Sequence, residues 1–249
     1  MNNSTNKKNN IKQILVLIFF AVMIVLGIFT NNNYNENDIN TNTNVITEIS
    51  YSLENVPEYS DSPYVVINNN NPNFTNEDFL TDSFEYYSDL DYLGRCGVAF
   101  ANLSQETMPK EDESRKSLDS IIPTGWNDAK YDIVSGGKLY SKCHLIAFSL
   151  SAENDNAQNI ITGTRYFNVS GMLPFELKAL NYLKENEGNH VLYRVIPFYE
   201  GENKVASGVT IEIASVEDKG EELHYYVYVY NVQPGIIIDY ATGESKLAE

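Results

Sequence analysis

The sequence predicts an α+β fold in which a central antiparallel sheet packs beside a helix. Three apolar segments in the C-terminal half alternate their side chains as two-sided strands do, and short turn-forming sequences separate them. A segment just before them has the apolar spacing of a helix. The hydrophobic content of 43% and the 18 tyrosines are typical of a globular, β-rich domain.

Weaker strand signals come earlier in the chain. The turn-rich run at residues 68–72 ends the first of them, and Gly94 and Gly97 indicate a close backbone approach in the second. A polar stretch at residues 104–130 predicts a long loop. The four predicted strand segments are residues 63–67, residues 93–101, the start of residues 138–150, and residues 159–164.

The helix is predicted over residues 173–187. Pro174 suits its first turn, where the missing N–H costs nothing, and Gly188 suits its end. The apolar side chains that recur at helical spacing and predict its buried face are Leu173, Leu177, Leu180 and Leu183.

Three strands are predicted after the helix, at residues 191–199, 205–214 and 223–232. Residues 200–203 form a hairpin signal between the first two, and Gly220 marks the turn before the third. An antiparallel meander that follows a helix, rather than alternating with several, indicates the α+β class.

The N-terminus carries an export or anchoring signal. Lys7, Lys8 and Lys12 precede an apolar run at residues 14–29, so the start of the chain is expected to stay in the cytoplasm while the rest crosses the membrane. The run is shorter than the ~20 residues of a usual span and longer than a usual signal-peptide core. No small-residue cleavage site follows it, which favours an uncleaved anchor over a signal peptide.

Three regions follow from this pattern. Residues 1–30 are the signal anchor or signal peptide, and residues 31–50 are a flexible linker rich in Asn and Thr, with too few apolar side chains to fold. Residues 51–249 form one domain of ordinary size. We expect this domain on the extracellular face of the cell membrane, or secreted.

The charge of the chain argues against a simple nucleic-acid binder. The net charge is −17, and the first 50 residues sum to zero, so all of it belongs to the predicted domain. A field of that sign repels nucleic acid at long range. Composition alone therefore favours an acidic structural surface module, and a nucleic-acid enzyme would need a divalent metal and a local basic groove.

Of the three histidines, His144 has the context that suits catalysis. It lies at the predicted end of a strand, and a neutral imidazole is a suitable general base near pH 7. From the residues alone, a structural histidine with satisfied hydrogen bonds is nevertheless favoured over a catalytic one. His190 and His224 lie at strand starts, where polar-face or capping roles are more common.

The two cysteines predict a disulfide. Cys143 and His144 are neighbours on a strand and point to opposite faces, which disfavours a thiol nucleophile activated by that histidine. The spacing of Cys96 and Cys143 does not suit a zinc site. An exported chain with two cysteines favours a Cys96–Cys143 bridge, stabilising by ~4 kcal/mol. Two buried free thiols are the alternative.

Several asparagines surround the predicted start of the helix. A side-chain amide oxygen is a good hard ligand for Mg²⁺. It also leaves the charge of the metal undiminished, which helps to neutralise a phosphate. The asparagines in question are Asn154, Asn156, Asn159 and Asn168.

Taken together, several ordered motifs resemble the DNA/RNA non-specific endonucleases, a branch of the ββα-metal or His-Me finger nucleases. The likeness extends to bacterial membrane-anchored DNA-entry nucleases and covers about residues 60–245. As a set the motifs are specific, although each one alone is not. The segments that carry the resemblance are residues 93–99, 123–126, 142–146, 158–164, 231–236 and 239–243.

The resemblance implies a central antiparallel sheet with a ββα-metal active-site motif, and it implies roles for particular residues. The family pattern is Asp-Arg-Gly-His, then an Asn, a second Asn nine residues on, and a Glu eight further. By this pattern His144 is the general base, and Asn168 is the protein ligand of one hydrated Mg²⁺, with Mn²⁺ as an alternative. Glu176 orients metal-bound water. Asn159, together with Asn156, positions the substrate or the finger loop.

The chain departs from the family where Ser141-Lys142-Cys143 replaces Asp-Arg-Gly. Lys142 keeps a positive charge for the substrate phosphate but loses the planar fork of arginine, and Ser141 removes a carboxylate. Arg165 is a further residue expected at the substrate, with Arg95 and Lys130 as weaker candidates.

The implied function is a metal-dependent endonuclease that hydrolyses phosphodiester bonds of DNA outside the cell, with RNA as a second expected substrate. Its partner is the phosphate backbone, so sequence specificity should be low. Two alternatives remain open from the sequence. One is a degenerate relative that binds nucleic acid at the surface without cutting it, and the other is the acidic structural module.

Overall fold

The computed structural model describes residues 56–80 and 82–249. The predicted anchor at residues 1–30 and the predicted linker at residues 31–50 lie outside this part of the chain. Among the described residues, no helix is long and apolar enough to cross a membrane.

The described chain contains ten strands and two α-helices. The strands are β1 (Tyr64–Val66), β2 (Phe84–Tyr87), β3 (Ala99–Leu103), β4 (Tyr140–His144), β5 (Ile160–Thr164), β6 (Val191–Phe198), β7 (Gly208–Ser215), β8 (His224–Tyr230), β9 (Ile236–Ile238) and β10 (Ser245–Leu247). The helices are α1 (Phe148–Ser151) and α2 (Leu173–Glu185).

Six strands form the central sheet, in the order β1-β8-β7-β6-β3-β2, with every neighbouring pair antiparallel. Two smaller hairpins, β4 with β5 and β9 with β10, are not hydrogen-bonded into this sheet. This is the mainly antiparallel α+β architecture that the sequence predicts, and the prediction is confirmed.

The central sheet has a hydrophobic core on each of its two faces. Because side chains alternate along a strand, the same strand contributes residues to both cores. On β6, Val191, Tyr193 and Val195 belong to the main core, which also contains residues of α2 and of β4 and β5. Leu192, between them, points to a second, smaller core on the opposite face. Strands β3 and β7 are therefore buried along their whole length, and β6 and β8 along most of theirs.

A buried ion pair closes the second face. The Nη2 atom of Arg194 lies 2.8 Å from Oε1 of Glu212, and both side chains are almost fully buried. The backbone of Asn73 completes the arrangement, since its carbonyl accepts from Arg194 at 3.1 Å and its N–H donates to Glu212. The guanidinium also lies over the ring of Phe74, 4.7 Å from its centroid. The segment before β2 is thus attached to the sheet by charge as well as by apolar contact.

The β4–β5 hairpin and α2 form a compact ββα unit. After β5, a π-helical turn (Phe167–Met172) leads directly into α2. The buried side chain of Asn231 ties this unit to the rest of the domain: its oxygen accepts from the Thr164 N–H at 2.9 Å, and its amide group donates to the carbonyls of Thr162 and Ala206. The motif at residues 231–236 therefore has a structural role in fixing the unit.

The predicted strand at residues 93–101 is only partly correct. Residues 93–98 form no strand, and pairing begins at Ala99. The carboxylate of Asp91 accepts from the N–H groups of Leu93 and Arg95, and Gly94 adopts a φ of +78°, so a tight turn replaces the strand. Strand β2 was not predicted, because its exposed Glu85 and Tyr86 interrupt the apolar alternation.

The helix is where the sequence predicts it, but its buried face is different. Leu173 and Leu177 are 37% and 44% exposed, so that part of the predicted apolar stripe is wrong. Phe175 is buried instead, because its ring packs edge-on against Tyr64 at 4.9 Å and Tyr225 at 5.6 Å. The buried residues of the helix are Phe175, Ala179, Tyr182 and Leu183.

Candidate active site

His144 lies at the last position of β4, and its ring is buried, with 6% of the residue exposed. The Nε2 atom is 2.9 Å from the backbone oxygen of Asn154. A carbonyl oxygen can only accept, so Nε2 carries the proton. In the neutral ring the lone pair is then on Nδ1, which is the atom available to act as a base.

Arg115 faces that lone pair. Its Nη2 atom lies 3.2 Å from Nδ1 of His144, and a guanidinium can only donate, which agrees with the tautomer set by Asn154. Burial lowers the pKa of His144 to about 4, and the charge of Arg115 acts in the same direction against the hydrogen bond to Asn154. The imidazole is therefore neutral near pH 7. Arg115 was not among the residues predicted from the sequence.

Glu176 lies in the first turn of α2 and is half-buried. Burial raises the pKa of its carboxyl to about 7, and the positive charge of Arg115 opposes that rise. Arg115 thus acts electrostatically on both Glu176 and His144, which indicates that the loop, β4 and α2 meet at one site. A carboxyl group whose pKa burial raises in this way suits a cation-binding or water-binding role.

Asn168 lies in the π-helical turn that precedes α2 and is half-buried. Its carbonyl accepts from the N–H of Leu173, five residues on, as a π turn requires. Eight residues exceed two α-helical turns, and the wider π turn takes up the extra residue. The angular spacing of Asn168 and Glu176 therefore differs from that of two residues eight apart on a regular α-helix.

Asn159 supports the hairpin from within. The residue is fully buried, its oxygen accepts from the N–H of Ile146 at 2.9 Å, and its amide group donates to the carbonyl of Ile146 at 3.0 Å. The side chain thus continues the β4–β5 pairing just past His144, as a peptide group would. Of the two roles expected for Asn159, this geometry supports the positioning of the finger loop, because the side chain is fully buried against the backbone of Ile146.

The matching family model is that of the DNA/RNA non-specific endonucleases, over residues 73–217. The chain belongs to this family. The matched region contains His144, Asn159, Asn168 and Glu176 as well as Arg115.

Individual relatives agree with the family assignment. A curated protein named Deoxyribonuclease, from Streptococcus dysgalactiae subsp. equisimilis, is 29% identical over 161 residues, which are 59% of this chain and 47% of that protein. The chain therefore spans about half the length of that relative.

Solved structures share the fold. NucA from Streptococcus agalactiae with magnesium ion bound has a TM-score of 0.62 and 25% identity, covering 72% of this chain and 86% of NucA. The same protein with no metal bound has a TM-score of 0.64 and 26% identity, over 77% and 89% of the two chains. The Sda1 nuclease with bound zinc ion has a TM-score of 0.59 and 28% identity, over 67% and 80%.

The residues expected to contact substrate lie in different kinds of surroundings. Lys142 donates to the carbonyl of Leu118 at 2.7 Å and lies over the ring of Trp126, so its ammonium holds the loop at residues 104–130. Asn156 caps the short 3₁₀ turn Ala157–Asn159 by accepting from the N–H of Gln158. Arg165 is exposed at the end of β5 and forms no salt bridge within the described chain.

The remaining candidates have local partners. Arg95 pairs with Asp91 at 2.7 Å and lies over the ring of Tyr199, so it braces a turn. His190 pairs with Glu217 at 2.7 Å, and Nδ1 of His224 lies 2.7 Å from the carbonyl oxygen of Gly220. These positions agree with the polar-face roles expected for both histidines.

The predicted Cys96–Cys143 disulfide is wrong, since both residues are buried free thiols. The sulfur of Cys96 lies 3.2 Å from the carbonyl oxygens of Ala157 and Ile160, at the start of β5. Cys143 packs where a side chain at Gly163, near the other end of β5, would collide with it. Each thiol is thus buried in separate surroundings, and burial raises the pKa of the Cys96 thiol to about 12.

The donor groups limit the kind of metal site. No group of three or more His, Cys, Asp or Glu side chains suited to a metal occurs among residues 56–80 and 82–249. A fully protein-ligated zinc site is therefore not found in this region. The amide oxygen of Asn168 and the carboxylate of Glu176 are hard donors that suit a largely hydrated divalent cation.

Proposed function

We propose that this protein is a metal-dependent, largely sequence-non-specific endonuclease that hydrolyses phosphodiester bonds of DNA and RNA outside the cell. The observation that carries the proposal is the tautomer of His144, with the proton on Nε2 and the lone pair on Nδ1. Its Nε2 proton is held by Asn154 at 2.9 Å, while its Nδ1 lone pair faces Arg115 at 3.2 Å. Family membership and the ββα unit around this histidine support the same conclusion.

In the proposed reaction, Nδ1 of His144 accepts a proton from the water that attacks phosphorus. The hydrogen bond from Nε2 to Asn154 keeps the ring in the required tautomer and stabilises the imidazolium that forms. The pKa of about 4 applies with Arg115 close by and no phosphate bound. A bound phosphodiester would offset the charge of Arg115, and the imidazole would become a stronger base as substrate binds.

Arg115 is proposed to bind a non-bridging oxygen of the scissile phosphate. It is exposed, and it forms no salt bridge with the described acidic residues. A guanidinium matches the geometry of phosphate oxygens and stabilises the charge that develops as the bond breaks. Such a local cation lets the acidic chain, with its net charge of −17, hold a phosphate backbone. Arg165 is proposed as a second contact.

Asn168 and Glu176 are proposed to hold one hydrated divalent cation. Asn168 forms no side-chain hydrogen bond within the described residues, and the Glu176 carboxyl is held in a site that raises its pKa to about 7. A cation here would remove the cost of burying that carboxylate. When bound, the metal supplies Lewis-acid stabilisation of the phosphate and of the leaving oxygen.

The identity of the metal is part of the proposal. Among the structural neighbours, NucA has been solved with a magnesium ion bound and Sda1 with a zinc ion bound. Asn and Glu oxygens favour Mg²⁺, with Mn²⁺ as a substitute, over zinc. The location outside the cell is proposed from the apolar run at residues 14–29 and the lysines before it.

The test is digestion of plasmid DNA and of RNA by the purified protein, with Mg²⁺, Mn²⁺ or EDTA. The proposal expects cleavage of both substrates that EDTA abolishes. A salt-sensitive gel shift without cutting would instead indicate a degenerate binding protein. Neither cutting nor binding would indicate the acidic structural module.

A further inference from the structure

We propose that Asn154 is a positioning residue that holds the general base and the phosphate-binding arginine in register with each other. The proposal rests on the function proposed above, in which His144 is the base and Arg115 binds the phosphate. It assigns to one asparagine the task of joining two segments that are far apart in the sequence.

Two groups of Asn154 make the connection. Its backbone oxygen accepts from Nε2 of His144 at 2.9 Å, and its side-chain oxygen accepts from the backbone N–H of Lys116 at 3.1 Å. Lys116 is bonded directly to Arg115, whose guanidinium returns to Nδ1 of His144 at 3.2 Å. The contacts form a closed ring that passes through both nitrogens of the catalytic imidazole.

The arginine needs such an anchor. Arg115 is exposed and lies in a stretch without helix or strand, residues 104–129. A long side chain on an irregular loop loses much conformational entropy when it is fixed. Asn154 is 8% exposed, so the acceptor of its hydrogen bond to the loop is shielded from water, although the donor residue Lys116 is exposed. Anchoring the residue next to Arg115 limits where the guanidinium can lie.

The orientation of the Asn154 amide is also defined. Its oxygen must face the Lys116 N–H, which leaves the amide nitrogen on the other side, buried and without a hydrogen-bond partner in the described chain. An unpaired buried N–H group is costly. An ordered buried water would satisfy it without disturbing the hydrogen bond to Lys116.

A double-mutant cycle tests the connection. Asn154→Ala is measured in the wild-type protein and in the Arg115→Ala variant, as kcat/KM for plasmid cleavage in Mg²⁺. We expect a loss on the order of 10- to 100-fold in the wild-type background. With Arg115 absent there is nothing left to position, so the same substitution should change kcat/KM by no more than about twofold.

Two results would overturn the proposal: an equal loss in both backgrounds, which would indicate a general structural role, or no loss in the wild-type background. If Asn154→Ala does not fold, the same bond is broken from the exposed side. Lys116→Pro removes the N–H donor, and Lys116→Ala is its matched control, because it keeps that N–H. Lys116→Pro should lower kcat/KM more than Lys116→Ala does. This difference should disappear in the Arg115→Ala background.

A second readout does not depend on cleavage. The charge of Arg115 lowers the pKa of His144, so displacing the arginine should raise that pKa. In NMR titrations of the metal-free protein, Asn154→Ala should move the His144 midpoint upwards, as Arg115→Ala does. An unchanged midpoint in Asn154→Ala, with an upward shift in Arg115→Ala, would overturn the positioning role even in a protein that cuts nothing. If the wild-type protein cleaves no substrate, that result alone would contradict the proposed function and not the positioning role of Asn154.

Discussion

At the level of single residues, the chemistry depends on which nitrogen of His144 holds the proton. The carbonyl of Asn154 fixes it on Nε2, and Arg115 approaches the other nitrogen. The same imidazole on a protein surface would be partly protonated near pH 6.5. Its buried position beside a guanidinium is what keeps it a base.

This environment predicts an unusual titration. The ring signals of His144 should stay constant from pH 8 to pH 5 and move with a midpoint of about 4, because burial and Arg115 disfavour the charged form. NMR of the imidazole resonances measures this, with His144→Gln to assign the signal. A midpoint near 6.5 would contradict the described environment.

The low pKa of His144 also makes the free energy of unfolding depend on pH. The pKa of His144 is lower in the folded protein than in the unfolded chain, so the unfolded state takes up the proton first as pH falls. Relative to His144→Gln, the wild-type protein should lose up to about 3 kcal/mol of unfolding free energy between pH 6.5 and pH 4. Urea unfolding at several pH values checks this difference.

Sequence reasoning finds some of these residues and not others. His144 is recognisable because it ends an apolar strand segment, and the resemblance adds Asn159, Asn168 and Glu176 by their spacing. Arg115 is not recognisable, since nothing in the polar stretch separates it from Lys110 or Lys116. Only the folded loop brings its guanidinium to the imidazole.

At the level of elements, the ββα unit depends on local features that a periodicity argument does not resolve. The sequence predicts a helix at residues 173–187 and a strand at residues 159–164, and both are present. It does not predict the π turn before α2, because residues 167–172 differ from an α-helix only in hydrogen-bond pattern. Helix α2 has two apolar faces, one with the predicted leucines and one with Phe175. The face with Phe175 is buried because its ring contacts tyrosines from other strands.

The support of the hairpin by Asn159 is open to a direct test. Asn159→Ala leaves the N–H and the carbonyl of Ile146 buried without partners, and each unsatisfied group costs about 1–3 kcal/mol. We expect urea unfolding to show a loss of about 2–5 kcal/mol together with reduced cleavage. Asn156→Ala is the matched control, since it removes only a cap on a short turn and should cost about 1 kcal/mol. Equal losses in the two variants would contradict the role of Asn159.

At the level of the whole molecule, two cores share one sheet, and the smaller depends on a buried ion pair. Composition predicts a β-rich globular domain, but the pairing of Arg194 with Glu212 joins strands and a loop that sequence patterns do not connect. The disulfide prediction failed at the same scale, because whether two thiols meet is a property of the complete fold.

The ion pair predicts a non-additive pattern of stability. Arg194→Met removes the ion-pair partner of the buried Glu212 carboxylate, which should cost about 3–5 kcal/mol. The double variant Arg194→Met/Glu212→Gln should recover part of this loss, because glutamine is neutral and can still accept from the Asn73 N–H. Thermal and urea unfolding measure both, and a double variant no more stable than Arg194→Met would contradict this role of the ion pair.

The proposed mechanism depends most on His144 as the general base. The decisive measurement is the rate of Mg²⁺-dependent plasmid cleavage by wild type, His144→Ala and His144→Gln, with circular dichroism to confirm that all three fold alike. We expect both variants to lose at least about 100-fold in rate, with the fold unchanged. Cleavage at the wild-type rate by a folded His144→Ala protein would contradict the central claim.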